Sequence, residues 1–330
     1  MIIGRAKLMQ RRRFLAALAG AAAVPPVTGW AQRAKTWRIG YLMPGFIMGP
    51  DLKLFEVFRQ ELNRLGYVEG KNLIIDKRQA EGRNDRLPGL VSELIALQPD
   101  VLVTIATPAI AAAQRGTSTI PIVMTPATDP IGSGFVKSFA RPGGNITGLA
   151  NMYGDTTAKI FDVISTVLPS AKKIAVLMSS NPTHPGLYEV SRVAADTVAL
   201  STVPIVAPTP ADLERAFQDI RKERCDAVFV LADPIRLKIV DLANEVPIPA
   251  IYQISEFVEA GALVSYGPSL SVMFRRSAQY VDRIFKGETP ADMPVEQPTK
   301  FELVLNLKTA KLLNLSIPEG IILLADKLIE

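Results

Sequence analysis

Short apolar runs alternate with longer stretches of helical periodicity along most of this chain. Apolar runs typical of buried strands occur at 38–42, 73–75, 101–105, 122–124, 173–178, 226–231 and 250–252. Apolar positions recur at helical spacing at 54–65, 87–97, 187–200 and 273–285. Because strands separated by helices form parallel sheets covered on both faces, the pattern predicts an α/β protein with doubly wound parallel sheets.

One segment of the first half has a counterpart in the second half. Residues 100–108 read DVLVTIATP and residues 226–234 read DAVFVLADP. Each segment has an acid, a buried strand, an alanine, a polar residue and then a proline where the next helix should begin, a position that suits proline. We therefore predict two lobes that share the doubly wound architecture.

Two polar residues follow the matching strands, and we expect them on opposite walls of one cleft. Ligands of doubly wound sheets bind outside the carboxyl ends of the strands, where helix N-termini point free N–H groups. The hydroxyl of Thr107 suits a carboxylate, and the carboxylate of Asp233 suits an ammonium group. Together they would fit a zwitterion such as an amino acid. The alternative for both residues is a helix N-cap.

The N-terminal segment has the features of an export signal. Three arginines at 11–13 precede Phe14 and Leu15, a short apolar run follows, and Gly29-Trp30-Ala31 offers a small-residue cleavage site. The apolar run is shorter than the roughly 20 residues that span a bilayer. We predict a signal peptide of the twin-arginine type at 1–31 and a soluble, periplasmic product. Met9 is an alternative start to Met1.

Composition narrows the possible chemistry. The chain has 37 basic and 32 acidic residues, and five of the basic residues but no acid lie in the predicted leader. The remainder is balanced in charge, which argues against nucleic-acid binding. Cys225 is the only cysteine of the chain, which excludes an intrachain disulfide and a Cys-based zinc site. His184 is the only histidine, which excludes most His-dependent catalysis. We predict no cofactor, no metal and no enzymatic activity, with His184 exposed in a loop.

Five segments carry a family resemblance. They read YVEGKN at 67–72, DRLP at 85–88, RPGGNITG at 141–148, SYGP at 265–268 and PTKFELVLN at 298–306. In combination they resemble the tryptophan/tyrosine-type ABC transporter substrate-binding protein family over nearly all of residues 37–330. The resemblance implies a type I periplasmic-binding-protein fold, in which two lobes are joined by three crossovers.

The same resemblance implies where the chain passes between the lobes. Lobe one would comprise 37–145 plus 268–296, and lobe two 146–267 plus 297–330. Glycine and proline suit such crossings because hinges concentrate dihedral change in a few residues. The expected hinge residues are Asn145, Gly148, Gly267 and Pro298.

The family's cleft positions map onto loops that follow strands. The resemblance implies ligand contacts by Gly45, Thr107, Pro108, Thr125, Thr128, Asp129, Asn181, Asp233, Tyr252 and Tyr266. An ordinary turn is the alternative for Asp129. Packing within a lobe or support of a hinge is the alternative for the two tyrosines.

The function implied is that of a monomeric solute-binding component of an ABC importer. It would bind a small molecule, an amino acid or a related metabolite, in the interlobe cleft and deliver it to a permease in the inner membrane. Binding would shift an equilibrium between open and closed lobes. The alternative is a periplasmic sensory protein that signals ligand binding to a membrane receptor.

Overall fold

The computed structural model describes residues 35–233 and 237–330, so the predicted signal peptide lies outside the described residues. The strands are β1 (Trp37–Met43), β2 (Leu73–Gln79), β3 (Val101–Thr104), β4 (Ile122–Ala127), β5 (Ile146–Ala150), β6 (Lys173–Met178), β7 (Ser201–Val206), β8 (Ala227–Val230), β9 (Ala250–Tyr252), β10 (Val264–Pro268), β11 (Phe301–Asn306) and β12 (Lys327–Ile329). The α-helices are α1 (Gly49–Arg64), α2 (Leu87–Ala96), α3 (Ala106–Gly116), α4 (Tyr153–Val167), α5 (His184–Thr197), α6 (Leu213–Lys222), α7 (Leu237–Glu245), α8 (Ser255–Glu259), α9 (Leu270–Phe285), α10 (Leu307–Leu312) and α11 (Glu319–Leu324). Within these residues no helix combines the length and the apolar character that a bilayer crossing requires.

The first sheet has the strand order β2-β1-β3-β4-β5, and all of its pairs are parallel. Its central strand β3 is buried along its whole length because helices cover both faces. Helices α1 and α9 pack against each other on one face, while α2 and α3 pack together on the other. This arrangement confirms the predicted doubly wound architecture for the first lobe.

The second sheet has the order β12-β11-β10-β9-β8-β6-β7 and is parallel except where β11 meets β10. After β10 the chain passes through α9 of the first lobe and returns to the same edge of the second sheet. Since β11 therefore starts where β10 ends, it runs in the opposite direction. The predicted α/β fold with two parallel-sheet lobes is confirmed, with β11 and β12, which are parallel to each other and opposite to the other strands, as an addition.

The first crossing lies farther along the chain than predicted. Strand β5 pairs with β4, so residues 146–150 belong to the first sheet and the predicted boundary after Asn145 is wrong. The Asn145 side chain donates to the carbonyl oxygens of Thr117 and Ile120 and secures the start of β5. Gly148 lies inside β5, where a Cβ would approach the backbone oxygen of Met124 to 2.5 Å. Neither residue lies at the crossing, which follows Ala150.

The other two crossings lie close to the predicted positions. Gly267 is part of β10, packed so tightly that a Cβ would lie 2.0 Å from the carbonyl oxygen of Gln253, and the chain leaves the second sheet after this strand. On its return, Glu296 exchanges backbone hydrogen bonds with β5 of the first lobe. The third crossing therefore falls between Glu296 and β11, and it includes Pro298. A hinge role for Pro298 stays a prediction.

Candidate ligand-binding cleft

A cavity lies between the two sheets, at the ends where their parallel strands terminate. The first lobe contributes the start of α1, the loops after β3 and β4, and α9. The second lobe contributes α4 and the loops after β6, β8 and β9. The lining residues are Pro50, Asp51, Leu54, Ile105, Ala106, Pro126, Thr128, Asn151, Tyr153, Asn181, Ala232, Asp233, Ile254, Glu256, Phe257, Leu270 and Phe274.

Asp233 lies on the wall of this cavity, as the sequence predicted. It is 3% exposed, and its Oδ2 accepts a hydrogen bond of 2.5 Å from the hydroxyl of Ser179. The backbone N–H of Asn181 donates to the same Ser179 oxygen at 3.1 Å. Asn181 also lines the cavity, so the loops after β6 and β8 hold the carboxylate in a defined orientation.

His184 is fully buried, so the prediction of an exposed loop histidine is wrong. Pro185 suits the first turn of α5, and this helix draws His184 into the lobe instead of leaving it in a loop. The backbone N–H of Ser179 donates to His184 Nδ1 at 2.9 Å, and Nε2 lies 3.3 Å from the carbonyl oxygen of Ala232. The imidazole thereby joins the two loops that position Asp233.

Two further acids line the cavity, and neither was predicted from the sequence. Asp51 is in the first turn of α1, and its Oδ2 is buried without a hydrogen-bond partner among the described residues. Burial, followed by the negative charges of Glu256 and Asp233, raises the pKa of Asp51 well above its usual range. An acid in a first helical turn normally indicates only an interaction with the helix dipole, so the sequence held no signal that Asp51 faces a cavity.

Glu256 is the second of these acids and occupies the first turn of α8. Its carboxylate accepts hydrogen bonds from Ser255 at 3.2 Å and from Ser271, on α9 of the opposite lobe, at 3.5 Å. Burial raises the pKa of Glu256, and the nearby Glu259 and Glu302 add to this effect. The three acids of the cavity thus come from both lobes.

The loop after β4 lies between this cavity and a groove of larger volume. Thr128 lines both, while Thr107 and Asp129 line only the groove. The backbone N–H of Thr128 donates to Thr107 Oγ1 at 3.3 Å. Asn151 donates to Thr128 Oγ1 at 2.8 Å. Asp129 is exposed and accepts from the backbone N–H of Gly132 at 2.9 Å, as the turn alternative predicted.

Five predicted contact residues line neither the cavity nor the groove: Gly45, Pro108, Thr125, Tyr252 and Tyr266. Tyr252 stacks on Phe257 with ring centroids 5.0 Å apart, so it supports a wall of the cavity from behind. Tyr266 stacks on Phe301 at 6.2 Å. Both tyrosines therefore make packing contacts, which is the alternative to ligand contact that the sequence left open for them.

Backbone strain is present around the cleft. Ala106, Asp129 and Met152 adopt positive φ angles of 60°, 44° and 58°, a conformation that costs residues with a Cβ about 1–2 kcal/mol each. Ala106 begins α3 and lines the cavity, so this strained turn places a helix N-terminus against the ligand space. Such strain persists only where surrounding structure imposes it, and it is common at binding sites.

Polar contacts connect the lobes around the cavity. Asn84 Nδ2 of the first lobe donates to Ser180 Oγ of the second at 3.0 Å. The Lys53 ammonium lies 3.6 Å from Glu259 across the same gap. With the Ser271–Glu256 hydrogen bond, these contacts describe lobes that are closed on one another.

Two doubly wound lobes, with three chain crossings and a cavity at their facing strand ends, define a type I periplasmic-binding-protein fold. The family model "ABC transporter substrate binding protein" matches residues 46–329, and the chain belongs to this family. Within the described residues no group of His, Cys, Asp or Glu is arranged to hold a metal ion.

Two of the relatives with at least 25% identity are described with an aromatic amino acid as ligand. The chain is 27% identical over 267 residues to the tyrosine-binding protein of Clostridioides difficile (strain R20291), covering 78% of this chain and 75% of that protein. A crystal structure of an ABC domain from Streptococcus pneumonia in complex with L-Trp matches with 25% identity and a TM-score of 0.81, covering 89% of this chain and all of that one. A conserved domain protein from Vibrio cholerae matches with 30% identity and a TM-score of 0.82 over the same shares.

Proposed function

We propose that this protein is the solute-binding component of an ABC importer and that it holds an amino acid or a related small metabolite in the cavity between its lobes. The observation that carries the proposal is the oriented carboxylate of Asp233 on the wall of a largely apolar cavity between the lobes. A buried carboxylate of this kind is a partner for a ligand ammonium group. The relatives that bind tyrosine and tryptophan support the choice of ligand class.

The cycle that we propose follows from the contacts between the lobes. Ligand enters when the lobes are apart, and closure brings Asp233 and Asn181 of the second lobe against Ala106 and Thr128 of the first. Since the closed form alone buries the ligand on all sides, binding stabilises closure. The closed lobes then deliver the ligand to a permease in the membrane, after export directed by the segment 1–31.

Calorimetric titration of amino acids and related amines into the ligand-free protein tests the binding step. The Asp233→Ala variant should bind the identified ligand about 2–5 kcal/mol more weakly, because the ligand's ammonium group loses its buried partner. Asp219→Ala, which removes an exposed acid of α6, is the matched control and should bind normally. Unchanged affinity in Asp233→Ala would remove this residue from the site.

Uptake of the labelled ligand into vesicles that contain the permease tests the delivery step. The proposal requires uptake that depends on added protein. Tight binding without stimulated uptake would favour the sensory alternative, and chemical conversion of the ligand would favour an enzyme.

A further inference from the structure

One oxygen of Asp51 is buried at the wall of the cavity without a partner. Asp51 lines the cavity, and its Oδ2 is shielded from solvent and forms no hydrogen bond within the described chain. A buried polar atom in this state is costly unless a bound molecule supplies the missing interaction. The dipole of α1 does not explain the position, since an acid in the first turn would interact with it equally well on the solvent face. The fold thus leaves Asp51 available to a ligand.

The groups that face Asp51 are acids or are neutral. Glu256 and Asp233 lie on the second lobe and, when ionised, disfavour a negative charge on Asp51. In its own lobe the titratable neighbour is Tyr41, and burial, together with Asp51, raises the pKa of this phenol well above its usual range. The ammonium of Lys53, on the same helix, pairs with an acid of α8 at the gap between the lobes. The lining residues that the structure describes include no lysine, arginine or histidine, and so none of them offers Asp51 a cation.

Helix α9, which packs against α1, does not supply a cation to the cavity either. Ser271 of this helix donates to Glu256 at 3.5 Å. The arginines of α9 are engaged elsewhere: Arg276 and Arg283 form ion pairs with Glu296 and Glu288, and Arg275 acts on Glu61. Burial, and then the nearby Glu259 and Glu302, raise the pKa of Glu256, so this acid too favours its uncharged form.

Closure of the lobes determines how strongly these acids interact. Asp51 belongs to the first lobe, and Glu256 and Asp233 belong to the second, so the lobes bring them to one cavity as they close. Carboxylates confined there repel each other because protein screens charge less than water does, and burial opposes the ionisation of each. A proton on Asp51 removes its share of this penalty and leaves a carboxyl group that both donates and accepts hydrogen bonds. When the lobes part, water reaches the group and its ionisation becomes easier.

We propose that Asp51 is a ligand-binding residue that acts in its protonated form, so that closure of the lobes on a ligand takes up a proton from solvent. The proton adds to a carboxylate oxygen of Asp51, and no covalent bond of the ligand changes. The neutral carboxyl then donates to an acceptor oxygen of the ligand, such as the carboxylate of an amino acid whose ammonium group binds Asp233. The inference rests on the proposed function, because it concerns the ligand of the same cavity. Binding should therefore weaken as the pH rises.

Isothermal titration calorimetry with tyrosine and tryptophan as probes tests the proton uptake. Titrations in phosphate and in Tris, two buffers of different ionisation enthalpy, give the number of protons taken up per ligand bound. The unsubstituted protein should take up a fraction of a proton, and its affinity should fall about threefold or more between about pH 6 and about pH 8. Asp51→Asn, whose side chain does not ionise, should abolish the uptake and flatten the pH dependence. Asp219→Asn, which removes an exposed acid of α6, should retain both effects.

A second substitution separates contact with the ligand from electrostatics. Asp51→Leu also removes the ionisable group, but its side chain has no hydrogen-bonding atom. It should therefore bind the probes about fivefold or more weakly than Asp51→Asn does. Equal affinities of these two variants would show that Asp51 forms no hydrogen bond with the ligand and would overturn the inference.

The outcomes separate this inference from the proposed function. Binding without proton uptake, or with the same uptake in Asp51→Asn, overturns the inference while the function stands. Proton exchange by His184 or by the ligand is common to both proteins and cancels in this comparison. If tyrosine, tryptophan and a panel of other amino acids and amines all fail to bind, the function is lost together with the inference. Glu256→Gln, which should lessen the uptake by weakening the repulsion, keeps the test decisive if circular dichroism shows that Asp51→Asn is unfolded.

Discussion

Removal of the charge at Asp51 should make the ligand-free protein more stable. Asp51→Asn replaces the carboxylate of a half-buried residue, in which the buried Oδ2 has no partner in the described chain, by a neutral amide of nearly the same shape. The change also ends the repulsion from Glu256 and Asp233, which together with burial raises the pKa of Asp51. The desolvation penalty of such a group is about 1–3 kcal/mol, and we expect the variant to recover an amount within that range.

The effect should depend on pH in a defined direction. A raised pKa means that the folded state binds the Asp51 proton more tightly than the unfolded state does, so ionisation of this group opposes folding. The penalty is absent below the ordinary value of 3.8 and grows as the pH rises towards the raised pKa. Asp51→Asn should therefore increase stability more at pH 8 than at pH 5.

Differential scanning calorimetry of the ligand-free protein measures this prediction. For a chain of this size we expect an increase in melting temperature of roughly 2–6 °C at pH 8. Asp219→Asn, at an exposed site on α6, controls for the general loss of one negative charge. A lower melting temperature at pH 8, or an increase that is the same at pH 5, would show that the Asp51 carboxylate is stabilised by the fold and would refute the reasoning.

Two further variants test the elements around the cleft. Gly148→Ala should destabilise the protein by about 2–4 kcal/mol in urea unfolding, because its Cβ would lie 2.5 Å from a Met124 backbone oxygen at a φ of 128°. Gly144→Ala, the control, has open space around the added carbon and should leave stability nearly unchanged. Equal urea midpoints for the two variants would contradict the close contact between Gly148 and Met124. His184→Phe should lower the free energy of unfolding by about 2 kcal/mol or more in the same assay, because the Ser179 N–H loses its buried acceptor. A stability equal to that of the unsubstituted protein would show that the imidazole contributes only its volume.

Periodicity was sufficient to predict doubly wound parallel sheets, because a strand buried between helices must be apolar throughout. β3 and β8 are examples, and their matching sequences correctly indicated two lobes of one design. Edge strands were harder to recognise. β2 extends to Gln79, beyond the predicted 73–75, and β7 contains Pro204 and is largely exposed. One face or edge of such strands meets water, so their composition does not distinguish them from loops.

The positions of strand ends also carried information about the site. Asp233 and Asn181 follow parallel strands, whose carboxyl ends meet at one side of a sheet, and both residues line the cavity. Seven other predicted residues do not, because a loop after a strand can turn its side chains towards the core or the outer surface as readily as towards the cavity. Tyr252 is one of them and packs behind the wall instead.

What the sequence determined by itself was the local content of the fold: its elements, their repetition and the loops available for binding. The tertiary structure alone decided which distant segments share one space. It placed β5 in the first sheet, buried His184 between two loops, and brought Asp51 and Glu256 from separate lobes into the cavity of Asp233. The physical reason is that burial and electrostatic coupling depend on neighbours far away in the chain, and hydrophobic periodicity records only neighbours that are near.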